Sequence, residues 1–483
     1  MTQLASSSIT PVYKPSRAWN HRTPDLLEKT MTQIQDYVNS RREEWLEELK
    51  ELLRIASVST DEARKNEVTR CAELVSERMR QAGLDAAVYP TGGHPAVYGE
   101  RLGAPGKPTL LVYGHYDVQP PDPLDLWRYD PFEPTVEGEY LVARGATDDK
   151  GQFYSLLKGV EASIRTRKEV PVNVKMLIEG EEEIGSPHLG PFIRKERERL
   201  ACDMVVIADS SQFAKDVPAI TYGLKGLVYL ELVVRGPKKD LHSGSFGGAV
   251  ANPANVLTRM IAACQGPFGR VAIPGFYDDV RLIEPWEREE FAKLPFDEEE
   301  FRQAVGAPKL FGEEGYTTLE RKWARPTLDV NGFISGFTGE GAKTVLPSVA
   351  SAKFSMRLVA DQDPEKIAEL TRQFLLDIAP DTVEVEILDH HGAKPVLVPR
   401  DGKGVQEAVR AYAKGFGKEP VFIREGGSIP VVNTFQEELG ARSLLLGLGL
   451  PDDDAHAPNE KFRIEDYYRG MVMMGELLGE LGK

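Results

Sequence analysis

Residues 109–118 read TLLVYGHYDV, an apolar run that stops abruptly at His115 and Asp117. A short run without polar alternation predicts a strand buried on both faces, as in a parallel sheet covered by helices. Polar residues just past such a strand lie at its carboxyl end, where open α/β sheets collect ligands. Working outward, the pattern recurs. VKMLIEG (174–180) leads into Glu181, Glu182 and Glu183, and VVIA (205–208) leads into Asp209. SLLLGLGL (443–450) leads into Asp452, Asp453, Asp454 and then His456. A fifth segment, GATDDKG (145–151), is a polar turn opening a helix and carries Asp148.

The rest of the chain alternates in the same way. Ile34, Val38, Trp45, Leu49 and Leu52 follow helical spacing between Met31 and Ile55, and a second helix is expected over Val68–Ala82, ending at Gly83. Strand-like and helical runs then alternate up to TYGLKG (221–226), which predicts an α/β sheet, mixed and mostly parallel. After it the order changes to β-α-β-β-α-β, the split motif of ferredoxin-like folds, with Asn252 and Pro253 opening its first helix. A charged insertion, roughly residues 265–325, interrupts that motif. From about residue 397 the α/β pattern resumes. The expected organisation is therefore a discontinuous domain of residues 1–224 and 397–483, with 225–396 inserted into it. Residues 1–25 are aperiodic and read as an arm.

Composition narrows the function. The 483 residues exceed one ordinary core, and 41% hydrophobic with 28% charged residues is usual for a globular enzyme. A net charge of −16, with no basic stripe, argues against a nucleic-acid partner. No apolar stretch is long enough for a membrane span, and the first residues lack the apolar segment of a secretory signal. Three cysteines, Cys71, Cys202 and Cys264, are widely spaced and odd in number, which fits a reducing compartment; the cytoplasm is expected.

Taken singly, the polar clusters have ordinary explanations: EEE as a solvated face, DDD as an exposed turn, DDK as a charged helix start. Taken together they coincide at strand ends, where unpaired charge is costly. Two imidazoles with several carboxylates form a ligand set for zinc, manganese or cobalt rather than copper or calcium. One carboxylate can bridge two ions, which points to metal-assisted hydrolysis. Of eight histidines, His21, His94 and His188 have no such context.

The set GHYDV, RGATDDKG, EGEEEIGS, DLHSGSFGG, REGGSIP and AHAPNEKF resembles the M20 family of metallopeptidases. The resemblance covers residue 40 to the C-terminus and is nearest the carnosine-type, broad-specificity dipeptidase branch. It implies a zinc-peptidase-like catalytic domain and an inserted ferredoxin-like lid and dimerisation domain. It implies two divalent ions, zinc first with manganese or cobalt also suitable. His115, Asp148 and Asp209 would hold one, and Asp148, Glu183 and His456 the other. Asp209 is preferred to nearby Asp203 because the strand VVIA precedes it. Catalytic roles fall to Glu182 as general base, Asp117 as partner of His115, and His242, reaching across a homodimer to the oxyanion. Thr344, Arg357, His391 and Ser428 match substrate-binding positions, His391 being chosen over His390 by the following GAKP. A cis peptide is implied at Asp148–Asp149. The expected reaction is hydrolysis of dipeptides or very short peptides by a metal-bridging water. An N-acyl amino acid amidohydrolase or aminoacylase with the same metal core is an alternative, and a non-catalytic metal-binding dimer is a second.

Overall fold

A computed structural model describes residues 32–167 and 169–483. The expected arm at residues 1–25, His21, and Met31 at the start of the first helical run lie outside these residues. The chain divides into two compact units. One comprises Lys225–Pro395 with Glu425–Ser428; the other holds residues 32–224, Val396–Arg424 and Ile429–Lys483.

The larger unit is built on a nine-stranded mixed sheet. Its four central strands are parallel: Asn173–Glu179, Thr109–His115, Met204–Ile207 and Arg442–Leu445, in that spatial order. The flanking strands, such as Asp85–Tyr89 and Ala96–Arg101, are antiparallel, so the parallel part is confined to the centre. Side chains alternate across the sheet. Leu110 and Val112 enter one core with the helices Lys65–Gln81, Lys150–Thr166, Val405–Phe416 and Ile464–Leu481. Leu111 and Tyr113 enter another with Leu189–Lys195 and Pro430–Leu439. Burial of both faces explains the unbroken apolar runs. Because the central strands run parallel, their carboxyl ends share one edge.

The first helical run is not continuous. Gln33–Ser40 and Arg42–Leu53 are separate helices joined at Arg41 (φ −117°, ψ 5°). Asn39 and Ser40 are weak helix formers, and the Ser40 hydroxyl donates to the Tyr37 carbonyl instead of solvent, competing with the helix ladder. The apolar spacing stays in phase across the break, so periodicity does not reveal it.

The smaller unit has the strand Gly226–Arg235, helix Pro253–Ala263, strands Thr327–Ser335 and Val349–Leu358, helix Pro364–Ile378 and strand Glu384–Ala393. The four strands form one antiparallel sheet, with Gly226–Arg235 and Val349–Leu358 inside. Asn252 caps its helix as expected, accepting from the Ala254 amide with Pro253 at the first turn. The charged insertion folds into short helices, including Pro285–Lys293, Glu298–Ala304 and Thr318–Ala324. Its buried Arg325 is paired with Glu313 at 2.7 Å.

Candidate metal centre

The shared edge of the parallel strands gathers the side chains singled out above. Thr109–His115 ends on His115 itself, with Asp117 two residues on. Asn173–Glu179 leads into a short 3₁₀ turn, Glu182–Ile184, closed by Gly185 in the left-handed region (φ 85°), where glycine is favoured. Asp148 precedes the helix Lys150–Thr166, and the Asp148–Asp149 peptide is cis.

Two ligand groups form, and one residue belongs to both. His115, Asp148 and Asp209 offer one, and Asp148, Glu183 and His456 the other; within each group the ligand atoms lie within 4.8 Å. The Asp148 carboxylate is split between them. Its Oδ1 is 3.1 Å from His115 Nε2, and its Oδ2 is 2.8 Å from His456 Nε2. His115 Nε2 is also 3.8 Å from Asp209 Oδ2, and His456 Nε2 is 3.3 Å from Glu183 Oε2. Asp203, the rival to Asp209, lies at the start of its strand, accepting from the Thr109 amide at 2.8 Å.

The surroundings fit a divalent cation. His115 is fully buried, and its Nε2, though 3.1 Å from Asp148 Oδ1, makes no well-aligned hydrogen bond. Its Nδ1 is 3.1 Å from the Asp117 carbonyl, which sets a tautomer that leaves Nε2 free as a ligand. Burial alone would lower the His115 pKa, but bonding to Asp117 and Asp148 and the charges of Glu182 and Asp209 raise it well above its usual value. Hydrogen bonding to Asp148, then to Glu183, pushes His456 up to about 11. Burial raises Glu182 well above the carboxylate range, assisted by Asp209, Glu183 and Asp148 and opposed by His115. Clustered carboxylates that draw protons onto both imidazoles and onto Glu182 are short of positive charge, which a metal ion would supply.

Asp117 faces His115 but does more than orient it. Its carboxylate oxygens accept from the backbone amides of Glu182 (3.2 Å) and Glu183 (3.1 Å). Glu183 is further held by Gln119, whose Nε2 donates to Oε2 at 2.8 Å. Glu181 turns away and accepts from the His94 amide and the His188 ring. Within DDD, Asp453 is buried rather than exposed: it accepts from the Leu450 amide and the Thr147 hydroxyl. Gln119, Asp453 and the buried Glu460 were not singled out from sequence. Only their place beside the ligand motifs marked them.

The smaller unit holds the remaining candidates. Arg357 Nη1 is 3.1 Å from the Ser428 hydroxyl, which donates to the Lys225 carbonyl. His391 stacks on Tyr229 at 5.2 Å between ring centroids, while His390 pairs with Glu231. His242 Nδ1 accepts from the Gly244 amide, and the Ser243 amide donates to the Thr344 carbonyl. His242 and Thr344 are exposed.

The chain matches known proteins over nearly its whole length. A family model described as peptidase family M20/M25/M40 matches residues 111–480. A Cys-Gly metallodipeptidase of Schizosaccharomyces pombe is 32% identical over 472 residues, covering 94% of this chain and 99% of the relative. The beta-Ala-His dipeptidase of Homo sapiens is 30% identical over 478 residues, covering 95% and 94%. Among solved structures, the metallo-carboxypeptidase Sso-CP2 of Sulfolobus solfataricus superposes with a TM-score of 0.82 at 37% identity, covering 91% of this chain and 99% of that one.

Proposed function

The chain belongs to peptidase family M20, and from that premise we propose that it hydrolyses the peptide bond of dipeptides or very short peptides. The observation that carries the reading is the Asp148 carboxylate, with one oxygen turned to each of two ligand groups. His115, Asp148 and Asp209 would hold one divalent ion, and Asp148, Glu183 and His456 the other. The imidazole and carboxylate donors suit zinc best, then manganese or cobalt. Bound there, the ions would supply an acidified water and a Lewis acid for the scissile carbonyl. Glu182 takes a proton from the attacking water and returns it to the leaving amine. Asp117 positions the turn that carries Glu182.

Arg357 offers a forked cation suited to the substrate carboxylate, oriented by the Ser428 hydroxyl that accepts from it, with Thr344 and His391 completing recognition. His242 has Nδ1 occupied by the Gly244 amide, so Nε2 is the nitrogen available to an oxyanion in a second copy. A homodimer through residues 225–396 is supported by Val330, Phe333 and Ile334, which are exposed on the edge strand Thr327–Ser335. Three unpaired cysteines fit the cytoplasm. Among the described residues no helix is long and apolar enough to cross a membrane.

A second reading, carboxypeptidase action on longer peptides, is favoured by the identity to the Sulfolobus enzyme. The test is to strip the protein of metal, reload it with Zn²⁺, Mn²⁺ or Co²⁺, and assay a panel. Dipeptides should be cleaved only after reloading. Release of the C-terminal residue from N-blocked peptides would establish the second reading. Turnover of N-acetyl or N-succinyl amino acids alone would overturn both in favour of an amidohydrolase.

A further inference from the structure

Glu460 is fully buried at the end of the loop that carries His456. Its Oε2 accepts from Arg144 Nη1 at 2.7 Å and from the Gly145 amide at 2.9 Å. Its Oε1 accepts from the amides of Thr147 (2.9 Å) and Asp148 (3.0 Å). Four donors thus fill the four lone-pair sites of one carboxylate. Its main-chain oxygen accepts from the Ala143 amide as well. Arg144, itself buried, reaches on to the Pro120 carbonyl at 3.3 Å. Three loops therefore meet at this pair: 118–121 after His115 and Asp117, 143–148 carrying Asp148, and 456–460 carrying His456.

We propose that Glu460 is a positioning residue that registers the Asp148 loop against the His456 loop, and so sets affinity for the ion held by Asp148, Glu183 and His456. The inference rests on the two-ion reading above. Its physical basis is that a bridging carboxylate must present both oxygens at once. The Asp148 amide is anchored to Glu460, and His456 lies four residues before it in sequence. Loss of the anchor would move the two ligands relative to each other. His115 and Asp209 reach their positions from strands that Glu460 does not touch, so their site has only Asp148 tied to the anchor, whereas the other has both Asp148 and His456.

The test is Glu460→Gln. Glutamine keeps the shape, but either orientation aims an amide NH₂ at two of the four donors. Metal-stripped wild type and variant are titrated with Zn²⁺ in a calorimeter, with thermal unfolding as a check on folding. The variant should bind its second ion about 10- to 100-fold more weakly, the usual cost of losing a group that supports a ligand, and its first, whose site shares only Asp148 with the anchor, distinctly less so. A general loss of stability would weaken both sites alike, so equal weakening overturns the proposal, as does an unchanged second site. His456→Ala separates the premises: if it still binds two ions, the ligand reading fails, whereas if it binds one while Glu460→Gln binds two normally, only the role of Glu460 fails. Should Glu460→Gln not fold, hydrogen exchange on metal-free wild type decides. Amides 145–148 should stay protected there, and rapid exchange overturns the proposal.

Discussion

Asp117→Asn is the sharpest perturbation of the centre. The wild-type carboxylate accepts from the Glu182 and Glu183 amides, while the main-chain carbonyl of the same residue faces His115 Nδ1. Asparagine leaves that carbonyl in place but turns one acceptor oxygen into an NH₂ group facing a backbone N–H. Losing one hydrogen bond to a charged acceptor in a buried site costs about 1.5–3 kcal/mol. If that energy appears as displacement of Glu183, affinity for the ion it helps hold falls about 10- to 150-fold. The ion held by His115, Asp148 and Asp209 should lose distinctly less, because the imidazole keeps the main-chain carbonyl at 3.1 Å and loses only the longer approach of the carboxylate at 3.4 Å. Displacement of Glu182 adds a loss in turnover of up to about 100-fold even at saturating metal. Competition titration with a chromophoric zinc chelator reads the two affinities, and dipeptide hydrolysis at saturating Zn²⁺ reads the second effect. Weakening of the His115 site with the Glu183 site intact would refute this division of labour, because it would mean that the carboxylate serves the imidazole.

Glu182→Gln should retain both ions by metal analysis and lose turnover by about 10²- to 10⁴-fold; near-normal turnover would remove it as the base. His242→Ala should lose activity without losing metal, and wild-type rates would exclude the cross-dimer role. Arg357→Lys should raise KM about tenfold with little change in kcat, since an ammonium cannot make the paired contact of a guanidinium; a change in kcat alone would place Arg357 elsewhere in the reaction. Lys225 gives a pH dependence. Burial first, then the charge of Arg357, lowers its pKa to about 7, so the folded chain holds this proton less tightly than the unfolded chain, where the value is about 10.4. Stability from this group is complete above the unfolded value and is lost as pH falls towards 7, by up to about 1.4 kcal/mol per unit. Lys225→Met should flatten the unfolding midpoint between those limits and exceed wild type at neutral pH; parallel curves would sink the idea.

Much of this was legible because parallel strands leave a simple trace. A strand covered on both faces is largely apolar, so the polar residues past its end stand out, and His115, Glu182, Glu183 and Asp209 are found in that way even though Lys175 and Glu179 lie within one such strand. Asp148 sits in a polar turn, and only its company gave it weight. The inserted motif was readable from element order alone. What escaped was whatever depends on distant backbone donors. Glu460 and Asp453 look like surface charges in sequence, yet both are buried against a segment about 300 residues away in the chain, Glu460 accepting from its amides and Asp453 from the Thr147 hydroxyl. The carboxylate of Asp117 bonds to Glu182 and Glu183, a partner choice that spacing from His115 does not encode. The break at Arg41 escaped because both helices keep the same apolar phase.

The order of the ligands along the chain has a consequence for biosynthesis. His115, Asp148, Glu183 and Asp209 leave the ribosome well before the inserted unit, and His456 follows only after it. The first ligand group is thus whole while the second still lacks its imidazole. The central strand Arg442–Leu445 and the helix Ile464–Leu481, which complete the sheet and the core beneath these ligands, also follow the inserted unit, so the proposed centre can assemble only near the end of translation.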